Sequence, residues 1–154
     1  MPVTGECIYV LDACALIAFL DKEPGGSVVA ELFQKAEAGE ICIYITSIQL
    51  LEVYYDRIRV IGRDYADTFL QTFYGSSIKI VHEFSRENIR TAGRLKATYP
   101  LSLADAIACA VASSIDAALV TSDHKEFEPV EQHENINFFW IRPAQSKTPK
   151  KGEK

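Results

Sequence analysis

Five short apolar runs constrain this chain more than anything else in it: CIYVL (Cys7–Leu11), ICIYI (Ile41–Ile45), IKIV (Ile78–Val81), AALV (Ala117–Val120) and INFFWI (Ile136–Ile141). Each is nearly continuous rather than alternating, as strands buried on both faces of a parallel sheet are. The stretches between them are long enough for right-handed crossovers and carry helical patterns. Ser27 is placed to cap a helix with apolar positions at 28, 29, 32, 33 and 36 and a stop at Gly39. Thr46 opens another, with Gln49 in capping-box spacing. Asp64, Ser85 and Ser102 are expected to cap three more, the second ending before Pro100. The resulting order, β-α-α-β-α-α-β-α-α-β-α-β, predicts an open three-layer α/β fold. Without a repeat or an internal linker, residues 1–143 read as one domain. The segment from Ala144 to Lys154 reads as a disordered basic tail.

Composition narrows the function. Apolar residues make up 48% of the 154, enough for a core without disulfides or a structural metal. Cys7, Cys14, Cys42 and Cys109 lie scattered in apolar runs without zinc-ligand spacing, so they read as small buried hydrophobes in a reducing compartment. No run of about 18 apolar residues and no charged-then-apolar leader is visible, so the expectation is a soluble, cytoplasmic protein without membrane contact. A net charge of −5 argues against a nucleic-acid partner until its distribution is considered. With four acids neutralised by a bound cation, the remainder is only −5 + 4 = −1.

Those four are Asp12, Glu52, Asp105 and Asp123. Asp12 directly follows the first strand and is the only charge between Ile8 and Leu20. Asp105 is the only charge in LADAIACAVA, a helix apolar on nearly every side. An unpaired buried carboxylate costs several kcal/mol, so such positions need a partner. Glu52 sits at the edge of the stripe formed by Ile48, Leu51, Tyr55 and Ile58, which is expected to face the sheet; Asp123 ends the fourth strand in LVTSDHKEF. Singly, Asp105 and Asp123 can be helix caps and Glu52 a solvated edge residue. Jointly, all four arrive at the carboxyl edge of a parallel sheet, where ligands bind.

Two carboxylates at ~5 Å repel by about 3 kcal/mol at an effective dielectric near 20. A cluster of four therefore calls for a cation, and oxygen-only ligands favour Mg²⁺ or Mn²⁺ over zinc. Such an ion activates water and neutralises charge on a phosphoryl oxygen, which points to phosphodiester cleavage. No Ser-His-Asp, Cys-His or phosphate-loop motif is legible, and Gly25-Gly26 reads as a turn. His82, His124 and His133 lack metal spacing; His124, beside Asp123, is placed to touch a substrate. Arg86, Arg90 and Arg94 recur at helical spacing, either as a solvated face or as a basic stripe that grips a nucleic-acid substrate.

These residues resemble the PIN-domain nucleases, and among them the VapC-like toxins of toxin–antitoxin pairs. The resemblance runs from about Ile8 to Ile141 through YVLDACALIAFL, ITSIQLLEVYY, LSLADAIACAVA and LVTSDHKEF. It implies a mostly parallel five-stranded sheet of order 3-2-1-4-5 and Mg²⁺- or Mn²⁺-dependent hydrolysis of RNA. Asp12, Asp105 and one or both of Glu52 and Asp123 would hold metal. Thr121 matches a hydroxyl residue of the family and is expected at the substrate. Ala13 and Cys14 depart from the pattern, since Ser or Thr often follows the first Asp. The aromatic region of Tyr54, Tyr55, Ile58, Phe69 and neighbouring Tyr65 and Phe73 would suit a homodimer or an antitoxin, unless those helices bury their extra faces against each other. A haloacid-dehalogenase-like phosphatase would need a second Asp where Cys14 stands, and a receiver domain's adjacent acids are missing. The remaining alternative is a catalytically silent PIN-like scaffold.

Overall fold

The computed structural model describes residues 7–145. All but the first two residues of the expected tail therefore lie outside the described residues. Five strands form the sheet: β1 (Cys7–Leu11), β2 (Ile41–Thr46), β3 (Lys79–Val81), β4 (Ala118–Thr121) and β5 (Asn137–Trp140). Helices fill every crossover: α1 (Ala13–Leu20) and α2 (Gly26–Glu37), α3 (Ser47–Val60) and α4 (Arg63–Tyr74), α5 (Arg86–Thr98) and α6 (Leu103–Ser114), then α7 (His124–His133). The strand order is β3-β2-β1-β4-β5, and every pairing is parallel. The chain's direction across the sheet thus reverses between β1 and β4, which places a ligand crevice at their carboxyl ends.

Strand alternation divides the core in two. Leu11, Ile43, Ile45 and Val120 pack on one face with residues of α1 to α4. Val10 and Leu119 point the other way, with Ala and Cys109 from α6, Leu95 from α5 and Phe127 and Val130 from α7. Alanines at 104, 106, 108, 110 and 112 let α6 lie close to the sheet, which explains a helix without a polar side. Among the described residues, no helix is long and apolar enough to cross a membrane.

Ser85 and Ser102 cap as expected, Ser85 in a reciprocal box with Asn88. Two starts differ. α2 begins at Gly26 behind Gly25 rather than at Ser27, because Gly25 takes φ 92° and a Cβ there would sit 2.7 Å from the Ile141 carbonyl oxygen. α4 begins behind Gly62, leaving Asp64 in its first turn. The cysteines also differ from expectation: Cys109 is buried, Cys14 and Cys42 are half-buried, and Cys7 is exposed.

The largest correction concerns α3. Its buried stripe is Gln49, Leu50, Val53 and Arg57, while Leu51, Tyr55 and Ile58 face outward. Arg57, only 1% exposed, forks onto Asp21 at 2.6 and 3.0 Å and also bonds Asp56. A paired guanidinium can be buried where a lone one cannot. This pair locks the end of α3 to the end of α1. Phe73 and Ala66 of α4 are buried, and Tyr54 donates to Asp67 across the α3–α4 pair. Those two helices do bury part of their surplus apolar surface against each other.

Candidate active site

Asp12 leaves β1 as the N-cap of α1 and is 4% exposed. Its amide donates to the Val120 carbonyl at 3.0 Å, extending the β1–β4 ladder to the site. Its Oδ2 accepts from the Thr121 hydroxyl at 2.8 Å and from the Cys14 thiol at 2.9 Å. Burial first, and then the charge of Asp105, push the Asp12 carboxyl up to about 7 despite those two donors; Asp123 adds to the rise. The departure at position 14 thus costs no hydrogen bond, since the thiol supplies the donor. Burial and Asp12 push that thiol up to about 12, so it stays protonated to donate.

Thr121, at the end of β4, is fully buried. Its hydroxyl donates to Asp12, accepts from the Asp123 amide at 3.1 Å and lies 3.3 Å from Cys14 Sγ. All of its hydrogen-bonding capacity faces the protein. It therefore ties two acids together, and the expected substrate contact has no exposed surface to act through.

Gln49 was legible only as a capping partner. The Thr46 hydroxyl does accept from the Gln49 amide, but the fully buried side chain turns elsewhere. Its Oε1 accepts from the Ala13 amide at 3.0 Å, and its Nε2 donates to Asp105 Oδ1 at 3.0 Å. One side chain from α3 thereby fixes the Asp105 carboxylate of α6 relative to the backbone just after Asp12. Asp105 itself enters at the first turn of α6, its amide bonded to Ser102 Oγ.

Asp123 caps α7, its Oδ1 accepting from the Glu126 amide at 3.2 Å. The capping role does not remove it from the acid cluster. Asp105, Asp123 and Glu126 each offer a carboxylate oxygen, and these lie within 4.8 Å of one another. Glu126 is a residue that sequence reasoning missed, although its position three residues after a capping Asp carried the signal. Its Oε2 is buried and has no hydrogen-bond partner among the described residues. Burial and the neighbouring Asp105 raise its pKa, since two carboxyls in contact need a shared proton or a cation. Glu52 stands outside this triad of α6 and α7 acids, half-buried on α3. Burial and the charge of Asp105 raise it as well.

The chemistry of this donor set fits a hard divalent ion: oxygen atoms only, one buried oxygen without a hydrogen-bond partner among the described residues, and one carboxyl whose pKa is raised by burial and by the like charge of Asp105. Asp105, Asp123 and Glu126 are placed to hold it, with Asp12 against them. Arg86, Arg90 and Arg94 are exposed on α5, and Arg94 pairs with Glu134 at 2.5 Å.

A family model described as PIN domain matches residues 9–131. No curated protein matches the sequence. Among solved structures, the VapBC2 complex of Rickettsia felis bound to promoter DNA is similar at a TM-score of 0.68 and 23% identity, covering 86% of this chain and 97% of that one. DNA-bound VapBC from Salmonella typhimurium gives a TM-score of 0.69 at 17% identity, covering 88% and 99%. A sarcin–ricin-loop-cleaving VapC toxin of Mycobacterium tuberculosis gives 0.55 at 14%, covering 71% and 84%.

Proposed function

The chain belongs to the PIN-domain family, and from that premise we propose that it is a Mg²⁺- or Mn²⁺-dependent endoribonuclease, the toxin of a toxin–antitoxin pair. The observation that carries this reading is the all-oxygen cluster of Asp105, Asp123 and Glu126 beside a buried Asp12 at the sheet's reversal point. Similarity in fold to VapC chains supports it.

In this mechanism Asp105, Asp123 and Glu126 would hold the cation, joined by Asp12 beside them. Bound there, it supplies charge neutralisation at a phosphoryl oxygen and a lowered pKa for water. The protein's own work is positioning. Thr121 and Cys14 both engage Oδ2 of Asp12, which would leave Oδ1 for the ion. Gln49 holds Asp105, and the first turn of α7 holds Asp123. We assign Glu52, apart from the triad and half-buried, to orienting the attacking water.

The same reading assigns partners. The outward stripe of Leu51, Tyr55 and Ile58, 56%, 48% and 37% exposed, is given to a second copy of the chain. A groove of about 210 Å³ between α1, α2 and α4, with Phe19, Phe33, Phe69 and Phe73 in its walls, is given to an antitoxin segment. The Rickettsia and Salmonella structures are VapBC complexes, which favours that occupant.

The test is cleavage of single-stranded RNA by the purified protein. EDTA should abolish it, Mn²⁺ should restore it, and Mn²⁺ should raise the melting temperature. Undiminished cleavage in EDTA ends the metal mechanism. No cleavage and no metal-linked stabilisation would leave a silent scaffold.

A further inference from the structure

A cleft of about 750 Å³ opens beside Asp123, with Ser122, His124, Lys125, Gln132 and Arg142 among its walls. That volume is within the range of small-ligand sites. Holding a cation and cutting a phosphodiester bond require none of these last four side chains.

The wall at His124 is built in an unusual way. Phe138 and Trp140 of β5 stack at 5.5 Å between ring centroids and 14° between planes, and Trp140 stacks on His124 at 3.9 Å and 12°. Three near-parallel rings thus form a column that ends at the cleft. The imidazole is held at both nitrogens, Nδ1 lying 3.0 Å from Glu128 Oε1 and Nε2 2.8 Å from the Arg142 carbonyl oxygen. With both polar edges engaged and one face on Trp140, the ring has only its other face left to meet the cleft. Around it stand Lys125, exposed and without an ion pair among the described residues, and the Gln132 amide. Arg142 is partly committed, donating to the Pro24 carbonyl at 3.0 Å.

A fixed aromatic face, a free ammonium and an amide, contiguous with the acids, form a surface for a base with its phosphate. We propose that this cleft is a nucleotide subsite for the strand being cut: the nucleotide next to the scissile phosphate leaves its stack, lays its base on His124 and sets its phosphate near Lys125. The proposal rests on the ribonuclease reading and adds where the single strand must run, from the acid cluster across the start of α7 towards β5.

The test is made in EDTA, so that binding is read without cleavage. The probe is a short 2′-O-methyl RNA oligonucleotide, compared with the same backbone lacking bases. Trp140, the chain's only tryptophan, reports from within the column. Wild-type protein should show a saturable change in fluorescence with the base-bearing probe. Base–aromatic stacking predicts that His124→Ala weakens binding about tenfold. His124→Phe, which keeps the face and loses both hydrogen bonds, should stay within about threefold of the parent. The abasic backbone should bind wild type and His124→Ala alike. Equal affinity of wild type and His124→Ala for the base-bearing probe overturns the proposal. So does a His124→Phe loss as large as that of alanine, because the hydrogen bonds and not the face would then matter. Cleavage with Mn²⁺ is measured separately. A protein that cuts RNA without any dependence on His124 in binding loses the subsite and keeps the nuclease. One that binds through His124 but never cuts keeps the subsite and loses the nuclease.

Discussion

Replacing Asp12 by Asn should stabilise the metal-free protein at neutral pH while removing activity. The Asp12 carboxyl is pushed from its ordinary 3.8 to about 7 by burial and by Asp105. That is about three pH units at about 1.4 kcal/mol each, so ionising Asp12 in the fold costs about 4 kcal/mol more than in the unfolded chain. The sign follows directly. Between about pH 4 and 7 the folded state binds more protons than the unfolded state, so stability falls as pH rises through that window. Asn keeps an oxygen for the Thr121 and Cys14 donors and turns an amide towards the acids. Burying that amide costs about 1–2 kcal/mol, which leaves about 2 kcal/mol of net gain above pH 7. For a chain of this size that is about 4–8 °C in melting temperature. Thermal and urea denaturation in EDTA across pH 4 to 8 measures it. The variant should be the more stable at pH 8, the order should reverse towards pH 4, where the protonated Asp12 of the parent carries no charge penalty and the variant still buries its amide, and Mn²⁺ should stabilise the parent more than the variant. An Asn variant less stable than the parent at pH 8 without metal would refute the reasoning, because Asp12 would then be a structural anchor.

Three other outcomes follow. Gln49→Ala should cost about 1–3 kcal/mol in urea denaturation by leaving the buried Ala13 amide unpaired, and should lower kcat by releasing Asp105; unchanged kcat would mean that Asp105 needs no support. Neutralising Arg86 and Arg90 together should weaken RNA binding and flatten its dependence on salt, whereas Arg94, paired with Glu134, should contribute less; an unchanged slope makes the stripe solvated surface. Tyr55→Asp should convert a dimer to monomer in sedimentation without unfolding, and a parent that sediments as a monomer at high micromolar concentration removes the homodimer.

The parallel sheet was readable because its strands lie in nearly continuous apolar runs separated by long helical crossovers, whereas the strand order came only with the family resemblance. The positions of Asp12 and Asp105 were readable for a related reason, each being a lone charge in an apolar run whose burial demands a partner. What could not be read were side chains whose partners come from distant segments. Gln49 looked like a cap, since spacing reports on its own backbone and nothing in it reveals Asp105, 56 residues away. Glu126 looked like one acid among several in HKEFE, and only the start of α7 turns it towards Asp105.

The inversion of α3 has the same origin and the sharpest consequence. Two stripes on that helix compete for the core: Leu51, Tyr55 and Ile58 are uniformly apolar, while Leu50 and Val53 share their side with Gln49 and Arg57. Apolar periodicity alone favours the first stripe. The fold buries the second because each of its polar groups finds a partner inside, Gln49 at Ala13 and Asp105, Arg57 at Asp21 and Asp56. Satisfied polar groups can therefore outweigh apolar area in choosing which face is buried. The apolar stripe they displace is left on the surface next to Glu52, so positioning Asp105 and exposing an apolar face are two results of one choice.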